Sequence, residues 1–493
     1  MMTDYKTPGV YVVEKSVLPA TVAGVSTAIP AFVGYTQKAG VGNELVKVPT
    51  RITNLAEYEA NFGMAPAQTI DVNFNLDTSP DLIDSIEIGS PPELMYYALQ
   101  MFFLNGGEAC YIVSVGKKDA TTAPASADFI EAIKALETED EPTLIVIADG
   151  SDDVTTTTTD GATTYTYNYG TWLGTALEQC QKLKDRFVIA DVKPTLDAKD
   201  VNADATFFRD KVGMNNLKYG AAYYPYLNTV LPYHYTDKTV TITYSETVTT
   251  VTTPDDPSTT DVDETVTETN IVDTTETLED IKNTKTDLYN RIVKEIAKYT
   301  VTLPPSSAVA GLYAQVDRDR GVWKAPANVS LNGVSNPVLK LTEDENDGLN
   351  VQPENGKSIN AIRAFSGKGT LVWGARTLAG NDNEWRYVSV RRLFNYVEES
   401  IQKATSFSVF EPNTAMTWLK VRTMIESFLD TLWRQGALAG AKAEDAYFVQ
   451  AGLGVTMTSQ DILEGRLIVK VGLAAVRPAE FIILEFTHKL QES

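Results

Sequence analysis

Three short runs of uninterrupted apolar residues constrain the fold more than any other feature of the chain. They are Pro142-Thr143-Leu144-Ile145-Val146-Ile147-Ala148-Asp149, Phe187-Val188-Ile189-Ala190-Asp191 and Tyr219-Gly220-Ala221-Ala222-Tyr223-Tyr224. Each is the length of a strand and none has a polar side, so both faces of the resulting sheet have to be covered. The segments between them supply the cover. Residues 172–186 repeat Leu173, Ala176, Leu177, Cys180 and Leu183 at helical spacing, and residues 204–212 read as a second helix. Strand, helix, strand in this order predicts an α/β domain with right-handed crossovers. A further amphipathic helix is predicted over 278–299 through Ile281, Leu288, Ile292 and Ile296, ending before Pro304-Pro305.

The C-terminal part has a different pattern. Residues 386–403 place Val390, Leu393, Phe394, Val397 and Ile401 on one helical stripe. A second helix is predicted to start after Asn413 as N-cap, with Trp418, Val421, Ile425, Phe428, Leu429 and Leu432 inward and Gly436 as its stop. Strands are predicted at 446–451, 466–476 and 480–490. Two helices on a small sheet make an α+β unit.

Charge divides the chain again. The 493 residues, enough for roughly two to four domains, carry a formal charge of −23, and residues 237–280 hold twelve acids and a single base, Lys238. By contrast, residues 357–493 hold sixteen bases and fourteen acids. The acidic stretch is rich in threonine and alternates apolar with polar at Val240-Thr241-Ile242-Thr243-Tyr244-Ser245 and again over 262–271, around Pro254-Asp255-Asp256-Pro257. That pattern predicts a protruding β-hairpin, polar on both sides. Residues 152–169, with five consecutive threonines, predict a second surface excursion. The alternative for both is a low-complexity loop.

Composition excludes several classes of function. A chain this acidic lacks the lysine and arginine a phosphate backbone requires, so no direct nucleic-acid partner is expected. Only His234 and His488 are available to a zinc site or a catalytic triad. Cys110 and Cys180 cannot build a disulfide framework and read as buried core residues. Gly367-Lys368-Gly369-Thr370 is not a phosphate loop, because the required upstream glycine is Ile362. The acidic run 343–347 lacks calcium-loop spacing. No catalytic, cofactor-binding or metal-binding residue is expected. The Met1–Lys6 start has no apolar signal region and no apolar run reaches membrane-span length, so a chain that is soluble when made, without a signal peptide or membrane insertion, is expected.

Three blocks give a positive identification. The first is Thr7-Pro8-Gly9-Val10-Tyr11-Val12-Val13-Glu14 with Gly24-Val25-Ser26-Thr27-Ala28-Ile29-Pro30-Ala31-Phe32-Val33-Gly34. The second is Pro304-Pro305-Ser306-Ser307-Ala308-Val309-Ala310-Gly311-Leu312-Tyr313, continuing through Asp317-Arg318-Asp319-Arg320-Gly321-Val322-Trp323. The third is Val390-Arg391-Arg392-Leu393-Phe394-Asn395-Tyr396-Val397-Glu398-Glu399, with Phe410-Glu411-Pro412-Asn413, Leu432-Trp433-Arg434-Gln435-Gly436 and Val476-Arg477-Pro478-Ala479-Glu480-Phe481. Together they resemble the sheath proteins of contractile phage tails and of related contractile injection systems. The resemblance leaves out 151–170 and 237–280, and unlike the type VI arrangement both portions stand in one chain.

What the resemblance implies is mechanical. Such subunits stack as sixfold rings around an inner tube, and the extended sheath stores energy that contraction releases to drive the tube through an envelope. No cofactor is implied. The partners implied are further copies of the chain, the inner tube protein, and baseplate and terminal cap proteins. The expected class is α+β multidomain: an α+β C-terminal core joined by terminal arm strands, an α/β middle domain, and an outward-projecting β-rich Thr/Asp insertion. The expected division is an arm and core start at 1–35, a middle region at 36–150, 171–235 and 278–356, insertions at 151–170 and 236–277, and a C-terminal core at 357–493.

The resemblance also implies strand exchange between neighbouring subunits. Its expected donors are Val10, Tyr11, Val12 and Val13 at one end and Phe481, Ile483 and Phe486 at the other. A strand making about five hydrogen bonds at ~0.5–1.5 kcal/mol each would hold with several kcal/mol. The alternative is that both termini complete their own subunit's sheet. Arg391, Arg392, Lys403, Lys420 and Arg422 are the candidates for facing the tube, the alternative being internal ion pairs or contacts between rings. A phage tail and a bacterial injection system both fit, and a soluble α/β enzyme is the competing class.

Overall fold

A computed structural model describes residues 22–75, 83–89, 91, 93–118, 126–149, 154–159, 162–194, 200–252 and 266–483. At 74–75, 154–159, 162–167, 245–252 and 266–273 the description is of the backbone alone. The chain divides into a large unit, Ser26–Asn395 with Arg477–Ser493, and a small unit, Met1–Val25 with Tyr396–Val476.

The large unit is built on a nine-stranded sheet. Six parallel strands lie side by side in the order Cys110–Ser114, Pro30–Gly34, Leu144–Ile147, Phe187–Asp191, Gly220–Tyr224 and Ile359–Phe365. Antiparallel strands close both sides, Thr50–Ile52 at one edge and Gly369–Val372 followed by Val329–Ser330 at the other. The three apolar runs are therefore central strands, and alternate side chains serve opposite layers. Ala31, Val33, Ile145, Ile147, Val188 and Ala190 pack against the helices Ser126–Ala135 and Asn168–Leu183. Phe32, Leu144, Val146, Phe187 and Ile189 pack against Met95–Leu104 and Ser306–Arg320. With each fully buried aliphatic side chain contributing about 1.5–3 kcal/mol, burial on two faces explains the absence of polar alternation.

The Thr-rich hairpin forms, from Val240–Thr252 and Val266–Thr277, in continuous register from Thr241 opposite Thr277 to Thr252 opposite Val266. Its second strand lies a few residues later than predicted. Its base is not polar on both sides: Val240, Ile242 and Tyr244 are buried with Ile70 and Val72 of a parallel neighbour, Ile70–Asn75. The helix predicted over 278–299 is two helices, Leu278–Ile281 and Thr286–Ile296, whose Ile281, Ile292 and Ile296 cover that base. The break follows from local capping. Thr277 and Asp280 form a reciprocal cap that starts the first turn, and Lys285, in a non-helical conformation, precedes the second helix. The other Thr-rich stretch is a hairpin of Val154–Thr159 and Ala162–Tyr167.

Two boundaries differ from the sequence expectation. The C-terminal core does not begin at 357, because Ile359–Phe365 and Gly369–Val372 extend the large sheet, and the division falls at Asn395. Nor does the first 35-residue segment stand apart as an arm and core start, since Pro30–Gly34 is a wholly buried strand of that sheet. Strand-sized apolar runs do not carry the name of the sheet they join.

The small unit holds the C-terminal half of the helix Val388–Thr405, the helix Ala415–Arg434 and a two-stranded ribbon of Tyr447–Ala451 and Val469–Leu473. Val421, Ile425, Phe428, Leu429 and Leu432 face inward as predicted, and Gly436 ends the helix with φ of 83°. The N-cap is Thr414 instead of Asn413, whose side chain accepts the indole N–H of Trp418 and donates to the carbonyl of Arg466.

Candidate functional site

The three sequence blocks converge on one buried guanidinium in the large unit. Arg392 donates to both carboxylate oxygens of Asp317, at 2.9 and 2.5 Å, and to the carbonyl of Thr27 at 2.8 Å. Its guanidinium also lies 4.6 Å from the ring centre of Tyr313. Tyr313 in turn shares a hydrogen bond with Tyr223 of the central sheet. The Ser306–Arg320 helix is itself anchored. The buried Asp191 at the end of its strand accepts the amide and hydroxyl of Ser306, placing a carboxylate on the helix N-terminus. Gly311 permits the close approach of Met95–Leu104, since a Cβ there would stand 2.4 Å from the carbonyl oxygen of Phe102.

This geometry overturns two of the tube-facing candidates. Arg391 and Arg392 are only 2% and 3% exposed. Arg391 is packed against Trp385, with the ring centre 4.2 Å away, and against Tyr219 and Phe394, while its Nε donates to Asn395. The stripe of Val390, Leu393 and Val397 is buried as predicted, but the opposite side of the first two turns is buried too, so Arg391, Arg392 and Asn395 are internal partners. The other three cations stay at the surface of the small unit. Lys403 pairs with Glu399 and Arg422 with Glu426, each one helical turn apart, and Lys420 lies over the ring of Phe407.

Buried carboxylates in the sheet have structural work. Asp149, just beyond the strand Leu144–Ile147, accepts the amides of Tyr35 and Leu94. Glu93 accepts the amide of Lys118, and burial, with the nearby Asp149 charge adding to it, pushes its carboxyl up to about 7. Among the described residues no three His, Cys, Asp or Glu side chains lie close enough to share a metal ion. Cys110 and Cys180 are buried, and burial raises both thiols far above the usual range.

The small unit has the opposite character. Its ribbon pairs Tyr447 with Leu473 through Ala451 with Val469, and within the described residues no third strand extends it along those residues. Beside the ribbon runs a groove of about 770 Å³, lined by Ile401, Val421, Ile425, Leu467, Val469 and Val471 among others. At its rim Phe410 is fully exposed and holds φ of 66°, a conformation that a bulky side chain rarely adopts. Val409, Met416, Leu419, Phe448 and Leu463 are exposed as well. Of the expected strand donors, Phe481 and Ile483 are 69% and 82% exposed and take no strand conformation, whereas Val10, Tyr11, Val12, Val13 and Phe486 lie outside the described residues. Asp317, which proves central to the packing, carried no signal in sequence beyond lying in a family block.

Residues 380–489 match the family described as phage tail sheath C-terminal domain. The tail sheath protein of Vibrio phage KVP40 is 26% identical over 139 residues, which is 28% of this chain and 20% of that protein. The chain spans less than half the length of the phage and prophage relatives it matches in this way. Solved sheath structures match over nearly the whole chain, two of them as follows. The sheath complex of the extracellular contractile injection system PVC, in its contracted state, is 31% identical with a TM-score of 0.61, covering 99% of each chain. The contracted helical sheath of the anti-feeding prophage is 30% identical with a TM-score of 0.63, covering 98% of this chain and 100% of that one. Agreement along the whole chain, well beyond its C-terminal domain, makes this protein a member of the sheath protein family of contractile phage tails and contractile injection systems.

Proposed function

We propose that the chain is the repeating subunit of a contractile sheath: copies stack as sixfold rings around an inner tube, and contraction drives the tube through a target envelope. Carrying this reading from the structure is the small unit's two-stranded ribbon, left open beside an apolar groove. A two-stranded ribbon is marginal in water, and apolar patches of this kind mark interaction surfaces. The terminal segments around Val10–Val13 and Phe481–Phe486 are the donors that would complete the ribbon of neighbouring copies. Because such contacts join unlike surfaces, they generate an open helical assembly in place of a closed dimer.

The acidic hairpin is proposed to face outward, where its charge keeps sheaths from bundling, with the near-neutral C-terminal part inward. Lys403, Lys420 and Arg422 remain the candidates for contact with an acidic tube. Baseplate and cap proteins would occupy the two ends. Similarity over nearly the whole chain to the sheath of an extracellular contractile injection system, against partial matches to phage sheaths, favours an injection particle over a phage virion. Deleting residues 1–15 tests the assembly reading. The variant subunit should fold but build no contractile sheath by electron microscopy, and normal assembly and contraction would refute strand donation by the N-terminus.

A further inference from the structure

In the segment that follows the small unit, one side chain is held by four hydrogen bonds from the large unit. The carboxylate of Glu480 accepts four hydrogen bonds: from Arg376 Nε at 2.8 Å, from Arg376 Nη2 at 2.7 Å, from the Asn350 amide at 2.8 Å and from the Tyr387 hydroxyl at 3.0 Å. Arg376 is 4% exposed and is held in turn, its backbone amide by Asn360 and its Nη1 by the carbonyl of Asn350. Burial raises the Glu480 carboxyl, but the bonds from Arg376, Asn350 and Tyr387 outweigh burial and hold it below the ordinary carboxylate range. Immediately beyond stand Phe481, Ile482 and Ile483, all more than two-thirds exposed. A tightly held acid is thus followed at once by three apolar residues presented to solvent.

We propose that Glu480 is the positioning residue of the C-terminal arm: its clasp to Arg376, Asn350 and Tyr387 fixes the root of the arm on the large unit. The proposal rests on the strand-exchange reading above and adds where the arm is anchored. The last backbone hydrogen bond of the small unit runs from Val476 to Ala437. Without the clasp the free arm therefore begins at residue 476 instead of 480, which adds about 13–14 Å of slack at ~3.3–3.6 Å per residue. A clasped root confines where the donor segment starts before it meets its acceptor, which lowers the entropic cost of association. It also delivers any pull on the arm to the large sheet, with the hinge placed after Glu480.

The test is a spin label at position 483, introduced by Ile483→Cys, in full-length chains with and without Glu480→Gln. The native thiols are buried and leave the label to one site. In the otherwise unaltered chain the label should report a restricted arm root. Glu480→Gln should free it and raise the protein concentration needed for sheath assembly tenfold or more, while Asn350→Ala and Tyr387→Phe, each lacking one of the four bonds, give intermediate values of both. A label as restricted in Glu480→Gln as in its absence, or an assembly threshold changed less than twofold, overturns the proposal. Should Glu480→Gln not fold, unchanged mobility and threshold in both single-bond variants overturn it equally. Deleting residues 484–493 separates the two layers of argument. If that deletion assembles normally, strand exchange by this arm is wrong; if it blocks assembly while Glu480→Gln behaves like the unaltered chain, only the clasp is wrong.

Discussion

Removing either partner of the Arg392–Asp317 pair should cost far more than removing both costs in proportion. Their side chains are 3% and 5% exposed, so neither charge regains water when the other is deleted. An uncompensated buried charge typically costs about 3–5 kcal/mol. Arg392→Met also leaves the carbonyl of Thr27 without this donor, and Asp317→Leu, which keeps no acceptor, leaves the guanidinium with that carbonyl and the Tyr313 ring. Each single substitution is therefore expected to destabilise the large unit by about 3–5 kcal/mol, and the double substitution to fall short of the sum by about 2–3 kcal/mol. Urea unfolding followed by tryptophan fluorescence gives the totals, and amide exchange in the helices Ser306–Arg320 and Val388–Thr405 locates the loss. Single losses near 1 kcal/mol, or strict additivity, would mean that the pair behaves like an exposed ion pair and that the three blocks are not joined through it.

Three further outcomes follow from named contacts. Glu93 has its folded pKa raised from 4.5 to about 7, so its neutral form favours the folded state. Stability from this group is complete below about pH 4.5, falls as pH rises towards 7 and is lower by roughly 3 kcal/mol above that. Glu93→Gln should remove the decline and raise stability at pH 8, and a pH profile of unfolding identical to that of the native chain would refute this. Gly311→Ala should destabilise by about 1–3 kcal/mol, measured by thermal unfolding, because the new methyl meets a backbone carbonyl that cannot turn away. Replacing Lys420 and Arg422 together by Gln, which spares the pairing of Lys403 with the buried Glu399, should leave the subunit folded and weaken co-assembly with the tube protein; undiminished co-sedimentation would remove these two residues from the tube contact.

The tube-facing candidates show where sequence reading stopped. Helical periodicity located the apolar stripe of Val390, Leu393 and Val397 correctly, but a period says nothing about what covers the other side of a helix. For Arg391 and Arg392 the sequence left tube contact and internal pairing both open, and the structure buries both, among aromatic rings and a carboxylate 75 residues away in sequence. The same limit hid Asp317, one acid among several in its helix. It also hid the role of Glu480, whose partners come from three separate stretches of the large unit. In each case the missing information was the identity of a partner distant along the chain.

What the sequence determined by itself was whatever depends on neighbours along the chain. The buried strands, the amphipathic helices, the Thr-rich hairpin and the ordered blocks that mark the family all lie in local pattern, because strand and helix periods and turn chemistry act over a few residues. The tertiary structure decided how those elements were shared out. It placed Pro30–Gly34 and Ile359–Phe365 in one nine-stranded sheet, drew the division at Asn395, and turned two arginines into internal struts. Those outcomes rest on burial and charge pairing between segments far apart along the chain, where the cost of an unpaired buried charge, and not any local preference, selects the arrangement.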